Sequence, residues 1–171
     1  MARIPLKFPR LFIAIMSKEE ALTRLKRYCA YRERSHTEVR YKLLELRVFG
    51  NMLEEVISDL ISENYLNEER YARAYVRGKF KNNRWGRNKI IMGLKAKKVS
   101  KYCITKGLEE IEEEEYKDVL TNLLQKKLDL SLDLDKYVII KKLSQYGFQK
   151  GYEHNIVNEC IMRLIDLKGL V

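Results

Sequence analysis

Two prolines and eight glycines in 171 residues leave few positions that forbid a helix, and the abundant Leu, Lys, Glu and Arg favour one. Cysteine is scarce as well. Cys29, Cys103 and Cys160 show no C-x-x-C spacing, and the two histidines, His36 and His154, lie far apart, which argues against a structural zinc site and against a disulfide framework. A reducing, cytoplasmic setting is expected, with the three thiols serving as small core or boundary residues. Long apolar runs are missing too: Leu11 to Met16 is only six residues, short of the ~7 to 15 of a secretory segment and the ~18 of a membrane span. No phosphate-cradling glycine loop, dinucleotide fingerprint, zinc-protease string or nucleophile elbow occurs. The carboxylate run Glu112 to Glu115 fits the first turn of a helix, where it complements the dipole. No catalytic residue, metal ligand or cofactor site is expected.

What the chain does have is a recurring apolar triplet. Val39, Leu43 and Val48 are matched by Ile90, Leu94 and Val99, and again by Ile139, Leu143 and Phe148, with gaps of four and five each time. Copies recur about every fifty residues, which marks a tandem array whose units complete their cores against their neighbours. With 46% hydrophobic residues, the chain can bury such a core.

The first copy announces three helices by their caps: Ser17 with Glu20, Ser35 with Glu38, and Asn51 with Glu54. The expected helices run from about Lys18 to Arg32, His36 to Leu46 and Met52 to Glu63. In the second copy, helices begin at Asn67, after the Trp85-Gly86 break, and after Ser100. In the third they span about Glu112 to Leu128, Lys136 to Tyr146 and Lys150 to Leu167, with Asp129 to Asp135 as a loop capped by Asp135. The predicted fold is all-α: three tandem three-helix repeats forming an elongated curved array. Its expected divisions are an N-terminal arm (1–17), repeat 1 (18–66), a basic repeat 2 (67–111) and repeat 3 (112–171).

The net charge of +10 is unevenly spread. Residues 18–66 carry nine basic and nine acidic side chains, whereas 67–107 carry thirteen basic against only Glu68 and Glu69. Arg70, Arg73, Arg77, Lys81 and Arg84 follow helical spacing and form one stripe, with Arg87 and Lys89 beyond it. Stacked like charges repel, so an anionic partner is one explanation, and phosphates or an acidic protein surface both qualify; a solvated helix face is the other. Tyr71, Tyr75 and Trp85 interleave with these cations. Packing suits Tyr75, beside Ala72 and Val76, whereas Trp85 is open between packing and base stacking.

Three segments, YRERSHTEVRYKLLE (31–45), YLNEERYARAYVRGKF (65–80) and WGRNKIIMGLKAKKV (85–99), resemble the first two repeats of the RecX regulators of the RecA recombinase. The third repeat matches through its triplet and the Tyr146-Gly147-Phe148 turn, where the family commonly places a glycine before an apolar residue. The first two copies have Arg47-Val48 and Lys98-Val99 there, and those helix ends are expected to be shaped differently. The resemblance implies a cytoplasmic bacterial protein, a regulator and not an enzyme. It would bind along the groove of the RecA filament on single-stranded DNA and inhibit ATPase, strand exchange and stimulated repressor cleavage. No membrane partner is implied, and a monomer is expected. The seven cations Arg70, Arg73, Arg77, Lys81, Arg84, Arg87 and Lys89 are the candidate RecA- or DNA-binding face. On this reading, reversing Arg73 and Arg77 abolishes inhibition and leaves the melting temperature nearly intact. A stand-alone helical DNA-binding protein is the alternative, and a helical adaptor for an acidic peptide a third reading.

Overall fold

The computed structural model describes residues 16–131 and 135–167. The N-terminal arm up to residue 15 and part of the Asp129–Asp135 connection lie outside them. Among the described residues there are nine helices and no strand: α1 (Lys18–Tyr31), α2 (His36–Glu45), α3 (Gly50–Ser62), α4 (Glu68–Asn83), α5 (Arg87–Ala96), α6 (Lys101–Leu108), α7 (Glu113–Asp129), α8 (Lys136–Lys150) and α9 (His154–Leu167). The all-α reading of the sequence holds.

Local chemistry starts most of these helices. Ser17 and Ser35 form complete capping boxes with Glu20 and Glu38, Asn67 accepts the Arg70 amide at 2.8 Å, and Asp135 accepts the Tyr137 amide at 2.8 Å. The expected Asn51 cap is not used. Gly50, at φ +58°, turns the chain so that α3 begins with Gly50 after Phe49, and Glu54 reaches sideways to a two-pronged pair with Arg40 instead.

Each unit packs its first helix along its third, α1 on α3, α4 on α6 and α7 on α9, with the second helix crossing the pair. Leu43, Leu94 and Leu143 are all fully buried, as are Val39, Ile90 and Ile139 within a per cent. The third member of the triplet is where the copies diverge. Helix α8 runs a turn longer than α2 and α5, passing straight through Tyr146-Gly147-Phe148 and ending at Gly151. Phe148 is therefore only half-buried, and Tyr152 takes the place of Val48 and Val99 in the core. Gly147 is needed inside α8 because a Cβ there would lie 2.8 Å from Val157 on α9.

The three helix ends are alike, against expectation. Arg47, Lys98 and Gly151 all take left-handed φ values (59°, 58° and 92°), and the next amide bonds back to the helix: Val48 to Leu43, Val99 to Leu94, Tyr152 to Gly147. Burial of the following apolar residue fixes the turn, so a cation is held in a conformation that glycine would adopt more easily.

The units do not share their cores evenly. Residues from Ala21 to Leu66 form one buried cluster, and residues from Tyr71 to Ile165 form a second that unites repeats 2 and 3. Leu94 thus belongs to the core shared with repeat 3, and a cavity there does not reach repeat 1. At the repeat 2–3 junction, α5 starts where α8 ends. The Gly86 amide donates to Lys150 O at 2.8 Å and the Asn88 amide to Gly151 O at 3.0 Å, so orphan donors of one helix meet orphan acceptors of the other. Gly86 and Gly151 approach so closely that a Cβ on either would sit 2.3 Å from the other segment.

Candidate functional site

Helix α4 carries the candidate stripe because Ala72, Val76 and Phe80 anchor its opposite face in the core. What the stripe touches differs along its length. Arg70 pairs with Glu33 of repeat 1 at 2.5 Å and also holds the Asn64 side chain (2.8 Å) and carbonyl (3.0 Å). Arg73 is ringed by three carboxylates, Glu69, Glu110 and Glu109, at 2.9, 3.0 and 3.3 Å. Arg77 meets Glu110 at 2.8 Å. The hydrogen bonds donated by Arg77 and Arg73 hold the Glu110 carboxyl below the usual carboxylate range, and those that Arg73 donates to Glu110 and Glu69 raise its own pKa further.

Arg87 is the most enclosed of the seven. Its guanidinium lies 4.2 Å over the ring of Tyr116, 2.6 Å from Glu113 and 3.6 Å from Glu153, and its amide donates to the Tyr116 hydroxyl at 2.9 Å. Tyr116 in turn donates to Glu153 at 2.6 Å. Burial, with Glu153 accepting that proton, pushes the Tyr116 phenol well above its ordinary value. This cluster binds α5, α7 and the start of α9 together.

Four of the seven candidate cations are thus neutralised within the chain. Reversing Arg73 and Arg77 would set new carboxylates against Glu69, Glu109 and Glu110, so the expectation that such a double variant keeps its melting temperature does not fit the structure.

The other three remain available. Among the described residues, Lys81 and Arg84 lie exposed with no carboxylate against them, Arg84 flanking a shallow depression with Asn122 and Lys126. Lys89 donates to Gln149 O at 3.1 Å and holds its ammonium 4.8 Å from the Trp85 ring. Lys79, which the stripe omits, lies at the same distance from that ring and 5.4 Å from Tyr75. Tyr75 packs its hydroxyl against Gly93 of α5, where a Cβ would lie 2.2 Å away. An aromatic pair edged by two ammonium groups results: a surface that can meet phosphates with its cations and a planar group with its rings. Sequence spacing missed Lys79 because it falls between stripe positions, and only the α4–α5 turn brings Lys89 to Trp85 as well. Among the described residues no cluster of His, Cys, Asp and Glu could hold a metal ion, and no helix is long and apolar enough to cross a membrane.

Residues 67–108, α4 to α6, match the model of "RecX, second three-helix domain". Over 133 residues the chain is 31% identical to the regulatory protein RecX of Clostridium perfringens (strain 13 / Type A), covering 77% of this chain and 62% of that one. The middle unit thus matches a RecX domain, and the chain is similar to regulatory protein RecX over most of its length. A second RecX, from Bacillus mycoides (strain KBAB4), is 30% identical over 142 residues, covering 82% of this chain and 52% of its own length. The chain thus spans about half to three-fifths of the curated RecX relatives it matches. Among solved structures, RecX from Lactobacillus salivarius superposes with a TM-score of 0.80 at 22% identity, covering 88% of this chain and 97% of that one. Another crystal structure of a regulatory protein RecX gives 0.76 at 20% identity, over 84% and 72%. At such identities the likeness is one of fold, and it places the tandem three-helix arrangement within RecX architecture.

Proposed function

We propose that this chain is a cytoplasmic regulator that binds the groove of the RecA filament on single-stranded DNA and inhibits RecA, lowering its ATPase, strand exchange and coprotease activities. It acts by binding, without a catalytic step or cofactor of its own. Similarity to RecX regulatory proteins over most of the chain, with residues 67–108 matching the second RecX three-helix domain, is the observation that carries this reading. The proposed contact surface is the part of the basic face left without internal carboxylates: Lys81 and Arg84 on one side of α4, and Lys79, Trp85 and Lys89 on the other. Arg70, Arg73, Arg77 and Arg87 support it by fixing α4 and α5 in place.

Co-sedimentation with RecA on single-stranded DNA, together with an ATPase assay, tests the reading. Inhibition at micromolar protein is expected, weakening as salt rises. No binding and no inhibition would sink it. The Lys79–Trp85–Lys89 arrangement also favours a second reading, direct binding of single-stranded DNA. Trp85 is the sole tryptophan, so its fluorescence should change on titration with an oligonucleotide in the absence of RecA, with a steep salt dependence. An unchanged signal leaves only filament binding.

A further inference from the structure

The two inter-repeat junctions are built from different materials. Between repeats 2 and 3 the core is continuous, the rings of Phe80, Tyr116 and Tyr152 follow one another at 5.9 and 4.8 Å, and backbone amides of α5 bond to carbonyls at the end of α8. Arg87 also pairs with Glu113 and Glu153 across this junction, but there the ion pairs are added to a continuous core and to backbone bonds on which salt has little hold. Between repeats 1 and 2 the cores are separate. The chain crosses within a few residues, from Leu66, buried in the first core, to Tyr71, buried in the second.

What closes that second junction is polar. Arg70 pairs with Glu33 at 2.5 Å, Lys97 lies 3.6 Å from Glu38, and the Thr37 hydroxyl donates to Lys97 O at 2.8 Å. Tyr71 of repeat 2 also reaches Ser35 of repeat 1. Beside these contacts a groove of about 450 Å³ separates the two repeats, floored by Tyr71, Ala74 and Tyr75. The charged partners are partly solvated, with side chains 21 to 39% exposed in the two pairs that involve Arg70 and Lys97.

We propose that repeat 1 is a hinged arm, closed onto a rigid body of repeats 2 and 3 by an ionic latch of Arg70–Glu33 and Lys97–Glu38, and that the array opens at Leu66–Asn67 when the latch is screened. Half-exposed pairs hold an orientation only while their attraction outlasts screening, and the Debye length falls from ~10 Å at 0.1 M salt to ~3 Å at 1 M. Once the latch is open, no shared core restores the closed geometry. The 2–3 junction cannot respond in this way because its orientation is fixed by packing. The arm's freedom follows from these contacts alone and holds whichever partner the protein binds.

Pulsed spin-label distance measurements on the full chain test this. One label pair, Asn51→Cys with Gln145→Cys, spans the latch; a second, Lys101→Cys with Gln145→Cys, lies within the proposed rigid body. The three label sites, Asn51, Lys101 and Gln145, are exposed, whereas the native Cys29, Cys103 and Cys160 are buried and stay unlabelled. The distance distribution of the first pair should be narrow at 0.05 M salt and at least twice as broad at 1 M, while that of the second stays unchanged. Glu33→Gln with Glu38→Gln should give the broad distribution at both salt concentrations, and glutamine at position 38 keeps the cap of α2. Glu33→Gln alone should give partial broadening and serves if the double variant loses helicity. A first-pair distribution as narrow at 1 M as at 0.05 M, or equal broadening in both pairs, would overturn the proposal.

Discussion

Replacing Gly86 by Ala should be among the most damaging one-carbon changes in the chain, although its backbone, at φ −76°, is one that any residue adopts. The added Cβ would lie 2.3 Å from the carbonyl carbon and oxygen of Gly151 and 2.4 Å from the Tyr152 amide nitrogen, all backbone atoms that no rotamer change can move aside. To regain ordinary contact the end of α8 and the start of α5 must part by roughly 1 Å, which stretches the 2.8 and 3.0 Å bonds at Gly86 and Asn88 beyond hydrogen-bonding range. Overpacking of this kind costs about 1 to 3 kcal/mol, and each bond broken at a buried junction adds about 1 kcal/mol, so a loss of about 3 to 5 kcal/mol is expected. For a body of roughly 100 residues that is a fall in melting temperature of more than about 10 °C. Urea unfolding followed by circular dichroism measures it. Gly78→Ala is the internal control: it sits mid-helix in α4 with nothing within 4 Å of a Cβ, and should gain about 0.5 to 1 kcal/mol from helix propensity. If Gly86→Ala stays within about 0.5 kcal/mol of the parent, the head-to-tail junction of α8 and α5 is not what holds repeats 2 and 3 together.

Arg47→Gly and Lys98→Gly should each stabilise the chain by about 1 kcal/mol, because glycine takes the left-handed φ without penalty; a melting temperature that falls in both would refute the strain. Leu43→Ala, Leu94→Ala and Leu143→Ala should each cost about 2 to 5 kcal/mol, with Leu94→Ala and Leu143→Ala loosening one unfolding unit and Leu43→Ala another, resolvable by hydrogen exchange. Lys81→Glu with Arg84→Glu should weaken RecA inhibition while leaving the melting temperature unchanged, whereas Arg73→Glu with Arg77→Glu should lower the melting temperature as well; equal melting temperatures for the two double variants would count against the carboxylate ring. Stability should also fall at both pH extremes. Ion pairing and hydrogen bonding hold the carboxyls of Glu110 and Glu113 below their ordinary 4.5, as the hydrogen bonds and cations around Glu38 do against its burial, so their contribution is present above pH 4.5 and lost as pH drops through the lowered values. Burial raises the phenol of Tyr71 from 10 to about 12 and that of Tyr116 further, so their contribution is complete below pH 10 and is lost as pH climbs through the raised values. A melting temperature that does not decline between pH 5 and pH 3 would contradict the carboxylate assignment.

Much of the fold was legible because it rests on local chemistry. Ser17, Ser35, Asn67, Ser100 and Asp135 each cap the helix that their side chains announce, and the leucines of the triplets mark equivalent core positions. The misreadings came where a tertiary contact outbid a local one. Asn51 with Glu54 satisfies the capping pattern, but Glu54 has a bidentate partner in Arg40 fourteen residues back. Gly147 looks like a helix end, but Val157 requires a residue without a Cβ inside the helix, and the end falls to Gly151 a turn later. Nothing within either window distinguishes these cases.

The charge pattern failed for a related and more instructive reason. Residues 67–107 of the middle unit carry thirteen cations against two carboxylates, which reads as a surface awaiting an anionic partner. The partner is in large part the neighbouring segments of the same chain: Glu33 comes from repeat 1, Glu109 and Glu110 from the turn that follows α6, Glu113 and Glu153 from repeat 3. In a tandem array the interface residues of a unit face its neighbours, so complementary charge placed on either side of a boundary segregates by sign along the sequence while cancelling in space. A unit's net charge therefore overstates its free field, and the informative cations are those whose neighbours in the fold carry no carboxylate. That criterion removes Arg70, Arg73, Arg77 and Arg87, keeps Lys81, Arg84 and Lys89, and adds Lys79 beside Trp85. If a complete lysine and arginine reversal scan of repeat 2 were measured for both RecA inhibition and melting temperature, the two effects should fall on different residues, and a scan in which the same substitutions dominate both would show that binding and architecture share one set of cations.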